Sequence, residues 1–367
     1  MRQQLSSKFS PFRFSLTETG RGLGYPAQSA DDNLVTFHGK QTNERLRKFV
    51  HETRTNTNVK NSNNVRGKTL SNSAKLSISQ KNWKSQRDHK TGLFSSLGLL
   101  SSRNATGWTR LSCNKSAKFR LAKLPTSVGN LSLYVYDSMR DDMSLTSWLL
   151  RGELPEKKEI EKFLEISKHL PLIDVGSNLG TVTLQAAMQK RQVVALEPVH
   201  SNAQRLCRSA LDFDLDSYVH VILNAASARE GEVTLAADYF REMARFSVQG
   251  MPGKPPGYHP VTSYAILLDR LLEVVPFRTA ALKIDVEAHE GYVLAGAERL
   301  FQEMDIPLVW LEWEHVIRLP RYGAEFILMF MHKHGMEAHD VISKEKLQED
   351  NWKAWPATVL WKRKDNL

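Results

Sequence analysis

Short apolar runs alternate with stretches of helical period along the chain from Leu172 onward. Most of these runs are continuously apolar, which is typical of strands buried on both faces of a parallel sheet. The predicted strands are Leu172–Val175, Val193–Leu196, Val219–Leu223, Ala281–Val286, Leu308–Glu312 and Thr358–Lys362. The predicted helices are Thr181–Lys190, Ser201–Phe213, Tyr264–Glu273, Glu287–Met304 and Ala324–His334. This alternation predicts an α/β fold, a mostly parallel sheet with helices on both faces.

The pattern is weaker before Leu172. Residues 130–136 alternate like a strand, and both Ser144–Leu150 and Pro155–His169 have a helical period. Ordered structure is therefore predicted to begin near Lys118.

One insertion departs from the alternation. Residues 231–236 predict an additional strand, and the segment Gly250–Pro260 is rich in glycine and proline. A connection of this length is often functional, so the second segment is predicted to be a lid.

Positive charge is concentrated at the N-terminus. The chain of 367 residues has a net charge of +10, but residues 1–120 contain 22 Lys and Arg against six Asp and Glu. This region is also rich in Ser and Asn and has no sustained period. Residues 1–117 are therefore predicted to be a disordered basic tail. Nucleic-acid contact by the tail is compatible with its charge, although a solvated tail is favoured.

The compartment is only weakly indicated. The two cysteines exclude a disulfide framework as an organising principle and favour a reducing compartment such as the cytoplasm. The first 17 residues contain Arg2, Lys8, Arg13 and no acid, so a mitochondrial or plastid presequence is the alternative. No apolar run is long enough to span a bilayer. The Asn104-Ala-Thr sequon has a meaning only in a secreted protein.

The segment Leu172–Glu197 is the most informative of the chain. A strand ends at Asp174 and Val175, a turn carries Gly176 and Gly180, and a helix leads to a second strand that Glu197 follows. A dinucleotide site would have three glycines and a pyrophosphate here, but Asn178 occupies the second glycine place and Asp174 would repel a phosphate. S-adenosylmethionine is favoured instead, because its amine and sulfonium are cationic and its ribose hydroxyls suit Glu197.

A second group of charges follows the predicted strand Ala281–Val286. Lys283, Asp285 and Glu287 occupy alternate positions and are predicted to point to one side of the sheet. Asp285 and Glu287 would lie near the sulfonium or orient the acceptor hydroxyl. The alternative is a structural ion pair between Lys283 and one of these acids. Two oxygen ligands on one strand are too few to predict a metal site.

Four blocks of sequence together resemble the FkbM family of S-adenosylmethionine-dependent methyltransferases. The blocks are Asp174-Val-Gly-Ser-Asn-Leu-Gly180, Glu197-Pro198, Asn224-Ala-Ala226 and Leu282-Lys-Ile-Asp-Val-Glu287. The resemblance covers roughly residues 118–367 and implies a class I methyltransferase fold. It also implies that Asp174, Gly176, Ser177, Asn178 and Gly180 form the loop at the methionine end of the donor. By the same resemblance Glu197 holds the ribose, Asn224 lies by the adenine, and Asp285 and Glu287 lie in the active site.

One residue departs from the family pattern. The family usually has a glycine after the acid that corresponds to Glu287, and this chain has Ala288. If that position has a positive φ, Ala288 is strained by roughly 1 kcal/mol.

These observations favour a methyltransferase that acts on a hydroxyl of a small molecule or glycan. Asp285 and Glu287 are the preferred candidates for a general base, and Glu314 and His315 are the second choice. Two alternatives stay open: methylation of nitrogen on a macromolecule, and a catalytically silent methyltransferase fold that serves as a binding module.

Overall fold

The structure, a computed structural model, describes residues 96–137, 144–238, 243–246, 258–314 and 322–364. Most of the predicted tail, residues 250–257 of the predicted lid, and His315 lie outside the described residues. In the part of the chain that is described, no helix is both long and apolar enough to cross a membrane.

The described residues contain fifteen strands and the seven α-helices named below. The strands are β1 Leu100–Asn104, β2 Gly107–Leu111, β3 Arg120–Thr126, β4 Gly129–Val135, β5 Leu172–Val175, β6 Val193–Leu196, β7 Val219–Ile222, β8 Ala225–Ala226, β9 Gly231–Asp238, β10 Met243–Phe246, β11 Tyr258–Ile266, β12 Thr279–Ile284, β13 Asp305–Glu312, β14 Met336–Asp340 and β15 Thr358–Arg363. The helices are α1 Leu145–Leu150, α2 Lys157–Ile166, α3 Thr181–Met188, α4 His200–Asp212, α5 Glu290–Ala295, α6 Glu298–Glu303 and α7 Ala324–Lys333. Two 3-10 helices span Leu268–Glu273 and Glu349–Ala354.

Nine of these strands form one sheet in the order β14-β15-β13-β12-β5-β6-β7-β1-β2. The run from β13 through β12, β5, β6 and β7 to β1 is parallel. Strand β15 is antiparallel to both of its neighbours, and β2 is antiparallel to β1. This mostly parallel sheet confirms the predicted α/β architecture and the class I methyltransferase fold that the resemblance implies.

Helices cover both faces of the sheet, as β5 illustrates. Its residues alternate in direction, so Ile173 and Val175 pack in one core cluster with α5, α6 and α7. Leu172 faces the other side, where α2 and α3 pack, and the Asp174 side chain points to α3 as well. Because all four positions of β5 are buried, the strand appears in the sequence as a continuous apolar run interrupted by one acid.

Several sequence predictions are wrong in detail. The predicted helix Tyr264–Glu273 begins as the end of strand β11, which pairs with β9, and only its second half is a 3-10 helix. The predicted helix Glu287–Met304 is two short helices, which are separated at Gly296 and Ala297. A β-carbon at Gly296 would lie 2.3 Å from the Ser227 carbonyl oxygen, so glycine suits this position. Ordered structure also begins earlier than Lys118, since β1 and β2 belong to the main sheet.

Two smaller sheets and a disulfide complete the fold. Strands β3 and β4 form a hairpin, and β10, β9, β11 and β8 form a second sheet. Cys113, which follows β2, forms a disulfide with Cys207 of α4, so the segment after β2 is fastened to that helix.

Candidate active site

A cleft that is partly open to solvent lies at the carboxyl ends of β5, β6, β7 and β12. This is where ligands bind in open α/β sheets. The lining residues are Val175, Gly176, Asn178, Leu196, Glu197, Pro198, Asn202, Asn224, Ala225, Ala226, Leu235, Asp285, Val286 and Glu287. Six of the nine site residues predicted from the sequence are among them: Gly176, Asn178, Glu197, Asn224, Asp285 and Glu287. The cleft therefore brings the two predicted charge groups to one place.

The glycine turn after β5 forms one wall of the cleft. Gly176 has a φ of 81°, and a β-carbon on it would lie 1.8 Å from the Asp285 carbonyl oxygen. Only glycine permits this close approach of two backbones. Asn178 is also left-handed, with a φ of 49°, a conformation that asparagine tolerates better than most residues.

Glu197 organises the opposite wall. One of its carboxylate oxygens accepts a hydrogen bond from the Asn178 amide at 2.8 Å, and the other accepts from the Val199 amide at 2.9 Å. The Asn202 side chain donates to the second oxygen and to the Asn178 side chain. Burial raises the pKa of Glu197 to about 7, although these hydrogen bonds oppose the shift. Glu197 thus ties the turn after β5 to the start of α4.

Asp174 lies below the cleft rather than in its lining. The residue is fully buried, and Thr183 of α3 donates to its Oδ2 at 2.6 Å. The ammonium of Lys283 lies 3.1 Å from its Oδ1 and also donates to the Gly176 carbonyl at 2.8 Å. The predicted contact between Asp174 and the donor stays a prediction, and in this arrangement it would require Lys283 to move.

Lys283 also reaches the second acid group, since its Nζ lies 3.4 Å from Asp285 Oδ2. Burial alone would lower the pKa of this ammonium, but the Asp174 and Asp285 carboxylates raise it above its usual value. The ion pair between Lys283 and Asp285, which was the structural alternative to a functional role, is therefore present. It does not exclude a functional role, because Asp285 still lines the cleft with about a third of its side chain exposed.

The turn after β12 has a strained backbone. The strand ends at Ile284, so the expected alternation of Lys283, Asp285 and Glu287 along one strand fails at Glu287, although Lys283 and Asp285 do lie on the same side. Glu287 and Ala288 are both left-handed, with φ of 56° and 71°. Neither residue type favours this region, and such strain is common at functional sites. The positive φ considered for Ala288 is thus observed.

Four acids lie together at the cleft and are here called the acidic cluster: Asp285 and Glu287, which line it, and Glu290 and Glu312 behind them. Glu290 is fully buried, and its Oε1 accepts a hydrogen bond from the Val286 amide. Burial raises the pKa of Glu290 to about 7, and the charges of Asp285 and Glu287 add to the shift. Burial, followed by the charges of the other three acids, raises the pKa of Glu312 far above its usual range. At neutral pH the cluster therefore retains protons that ordinary carboxylates would have lost.

Three other predicted residues have structural partners. Asn224 is fully buried, and its amide nitrogen donates to the carbonyls of Arg103 and Tyr264. Its Oδ1 also accepts a hydrogen bond from the Arg103 amide at 2.7 Å, so both polar atoms of this side chain already have protein partners. Ser177 is buried and donates to the Leu196 carbonyl, while Gly180 begins α3, where a β-carbon would lie 2.2 Å from Leu206.

Several lining residues were not predicted. Asn202 is the clearest, because it connects Asn178 with Glu197 and accepts a hydrogen bond from the Tyr136 hydroxyl at 2.6 Å. One signal in the sequence could have identified it: Asn202 lies near the start of the helix that follows Glu197, the acid at the end of β6. Ala225, Ala226 and Leu235 form an apolar part of the lining, and nothing in their local pattern marks them.

The remaining candidates lie elsewhere. Glu314 is exposed, and its charge contributes to the raised pKa of Glu156, the residue that directly precedes α2. His289, which directly precedes α5, is buried, bonded to Ser227 and stacked on Tyr292. Burial lowers the pKa of His289 to about 3, so this imidazole is neutral at physiological pH. No cluster of ligands suitable for a metal ion occurs among the residues that the structure describes.

Comparisons with known proteins address the family. No curated protein matches the chain significantly. Similar solved structures include an O-methyltransferase from Bacillus cereus in complex with SAH, with 13% identity, a TM-score of 0.35, and coverage of 57% of this chain and 81% of that one. An rRNA methylase from Streptococcus thermophilus has 11% identity, a TM-score of 0.31, and coverage of 57% and 97%. Precorrin-6y C5,15-methyltransferase from Geobacter metallireducens GS-15 has 10% identity, a TM-score of 0.30, and coverage of 57% and 87%.

With TM-scores below 0.5, these likenesses carry no statement about activity. The sequence model of the methyltransferase FkbM domain, in contrast, matches residues 174–338. This range begins at Asp174 and includes every residue that lines the cleft. Residues 174–338 therefore form a methyltransferase FkbM domain.

Proposed function

We propose that this protein is an S-adenosylmethionine-dependent methyltransferase that methylates a hydroxyl of a small molecule or glycan. The observation that carries the proposal is the lining of the cleft, which has Glu197 at one strand end and Asp285 and Glu287 at another, with the apolar residues Ala225 and Leu235 also in it. S-adenosylmethionine has matching groups: ribose hydroxyls that donate to a carboxylate, an adenine ring with apolar faces, and a sulfonium that carboxylates attract.

Asp174 has an indirect role in this proposal. Its carboxylate holds the Lys283 ammonium, which in turn holds the Gly176 carbonyl of the turn at the cleft wall. Asp174 and Lys283 are thus positioning residues for the loop at the methionine end of the donor. A buried ion pair of this kind fixes geometry when its members are also hydrogen-bonded.

Methyl transfer is an in-line displacement, in which the acceptor oxygen bonds to the methyl carbon while the carbon–sulfur bond breaks. Holding oxygen, carbon and sulfur in line at spacings of about 3 Å supplies most of the acceleration. The acceptor hydroxyl loses a proton, which Glu287 accepts in this proposal. Asp285, which is held in place by Lys283, is suited to orient the donor or the acceptor.

Calorimetry on the full chain tests donor binding. The wild type is expected to bind both S-adenosylmethionine and S-adenosylhomocysteine, and Glu197→Gln to bind them at least about tenfold more weakly, the loss of one good hydrogen bond. Glu303→Gln, on the exposed end of α6, is the matched control and should bind normally. A folded wild type that binds neither ligand would overturn the enzyme proposal and favour a silent binding module.

The acidic cluster supports a second candidate, methylation of an amine. Several carboxylates beside the donor cleft would attract a cationic acceptor, which a neutral sugar hydroxyl does not require. The raised pKa values of Glu290 and Glu312 weaken this argument, because protonated acids carry no charge. The hydroxyl acceptor is therefore preferred.

Transfer of a labelled methyl group into fractionated cell extract separates the two candidates. The fraction that accepts label is identified first, and the methylated atom is then determined by mass spectrometry and NMR of the product. A methyl ether supports the hydroxyl proposal, whereas a methyl ester, which forms on a carboxylate, would contradict it. An N-methyl product would contradict it and support the amine candidate.

A further inference from the structure

We propose that Asn104 carries an N-linked glycan and that the folded domain matures in an oxidising, secretory compartment. Two independent features support this assignment: a disulfide inside the folded domain and a glycosylation sequon at an exposed hairpin turn. Neither feature belongs to the cleft, so the proposal does not depend on the proposed methyltransferase activity.

The disulfide joins residues that are 94 positions apart in the sequence. The Cα atoms of Cys113 and Cys207 are 5.8 Å apart, which lies within the usual range for a disulfide, and Cys207 is fully buried. Such bonds persist in secreted proteins and in the lumen of the secretory pathway, and they are rare where thiols are kept reduced. The disulfide therefore supports an oxidising compartment, whereas the sequence alone favoured a reducing one.

The sequon occupies the tip of the β1–β2 hairpin. Asn104 pairs with Gly107, so Ala105 and Thr106 form the two-residue turn, and Asn104, Ala105 and Thr106 are all exposed. The Asn104 side-chain oxygen accepts hydrogen bonds from the Thr106 hydroxyl at 2.7 Å and from the Thr106 amide at 2.9 Å. The acceptor asparagine and the hydroxyl of the sequon are thus already adjacent, and the position is the surface loop that this modification requires.

The chemistry is a glycosyl transfer to the side-chain amide. The donor class is a lipid-linked oligosaccharyl pyrophosphate, and the transferase of the compartment provides the catalyst. The bond between the sugar C1 and the pyrophosphate oxygen breaks, a bond between C1 and Asn104 Nδ2 forms, and the amide loses one proton. No oxidant or reductant takes part in this step.

The glycan would not obstruct the cleft. The residue before Asn104 is Arg103, which is buried and bonds through its backbone to Asn224. Asn104 itself is exposed at the tip of the hairpin and is not among the residues that line the cleft. A glycan there covers the outer end of the hairpin.

Two other sequons in the described residues are less suitable. Asn114-Lys-Ser is also exposed, and Asn114 accepts hydrogen bonds from the Ser116 amide and hydroxyl as Asn104 does from Thr106. It differs in that it follows Cys113 directly and that its backbone amide donates to Gln204 of α4. Asn130-Leu-Ser lies within strand β4, and its central leucine is buried in the core. Both of these asparagines are exposed, but one is next to the disulfide and the other lies within a paired strand, whereas Asn104 ends its strand at the hairpin turn.

The test uses the full chain purified from its natural source under conditions that block thiols. Treatment with a peptide N-glycosidase is expected to increase gel mobility, and mass spectrometry should find Asn104 converted to Asp. Alkylation before and after reduction should show that Cys113 and Cys207 become reactive only after reduction.

Variants expressed in the same type of cell assign the site. Asn104→Gln and Thr106→Ala should each lose the mobility shift, whereas Thr106→Ser keeps the sequon and should retain it. Asn114→Gln and Asn130→Gln are the matched controls and should keep the shift. An unglycosylated natural protein, a glycan found only at Asn114 or Asn130, or freely reactive thiols in the natural protein would each overturn the proposal.

Discussion

The ammonium of Lys283 lies 3.1 Å from the carboxylate of Asp174, which occupies the directly paired position on the neighbouring strand. Both side chains are almost completely excluded from solvent. The pair lies below the cleft and is connected to it through the carbonyl of Gly176. A pair of acidic and basic residues in the centre of a parallel sheet is costly to build, and its value lies in the geometry that it fixes.

Removal of one member of this pair should destabilise the protein strongly. Lys283→Met leaves a buried carboxylate without its counter-charge, which costs about 3–5 kcal/mol in comparable pairs. Denaturant unfolding of the full chain measures the loss. The double variant Lys283→Met with Asp174→Asn leaves no uncompensated charge and should recover most of the stability. A single variant as stable as the wild type would contradict the structural importance of the pair.

Replacement of Ala288 by glycine should stabilise the protein. The φ of 71° costs an alanine roughly 1 kcal/mol, and glycine adopts it without strain. The free energy of unfolding of Ala288→Gly should therefore rise by up to about 1 kcal/mol. Ala295→Gly, at the end of helix α5, is the control and should lower it by about 0.5–1 kcal/mol. Equal losses in both variants would show that position 288 has no positive-φ strain.

Stability should fall as the pH rises through neutrality, in part because of Glu290. Burial raises the pKa of Glu290 from its ordinary 4.5 to about 7, so the folded protein binds its proton more tightly than the unfolded chain does. The stabilisation from this proton is complete below pH 4.5 and is lost as the pH rises through about 7.

Glu290→Gln imitates the protonated acid and should make the pH dependence shallower over this range, by up to about 1.4 kcal/mol per pH unit. Unfolding measured at several pH values gives the slope. Glu303→Gln, on the exposed end of α6, should leave the slope unchanged. An unchanged slope in Glu290→Gln would mean that this carboxyl has an ordinary pKa.

Glu287→Gln should lower the rate of methyl transfer with little change in donor affinity. A general base contributes roughly 10²–10⁴-fold, so kcat should fall by that factor once an acceptor fraction is in hand. Calorimetry with S-adenosylhomocysteine provides the second readout. A loss of donor affinity with normal kcat would instead assign Glu287 to donor binding.

The sequence predicted the strands at the centre of the sheet well. Strands β5 and β6 have the predicted bounds, because a strand buried on both faces appears as an uninterrupted apolar run between polar turns. The segment Tyr264–Glu273 was misread because its apolar spacing fits a helix. Its first part instead pairs with β9, a partner more than twenty residues earlier in the chain. The periodicity of the local sequence carries no information about such a distant pairing strand.

The candidate site was predictable in position but not in its contacts. Acids at the ends of β5, β6 and β12 were expected to meet because the carboxyl ends of parallel strands share one edge. The engagement of Asn224 with Arg103, 121 residues away, depends on β1 joining the sheet. The same is true of Cys113 and Cys207, whose spacing in the sequence gives no indication that their side chains meet.

The absence of a β-carbon at Gly176 has a consequence for how the methyl donor and the acceptor would bind. Because this residue touches the Asp285 backbone, the wall proposed to face the methyl donor and the wall proposed to face the acceptor are in direct main-chain contact. Neither wall can shift without displacing the other. A donor that settles the glycine turn therefore also sets the position of the acids that meet the acceptor, which favours an ordered sequence in which the donor enters first.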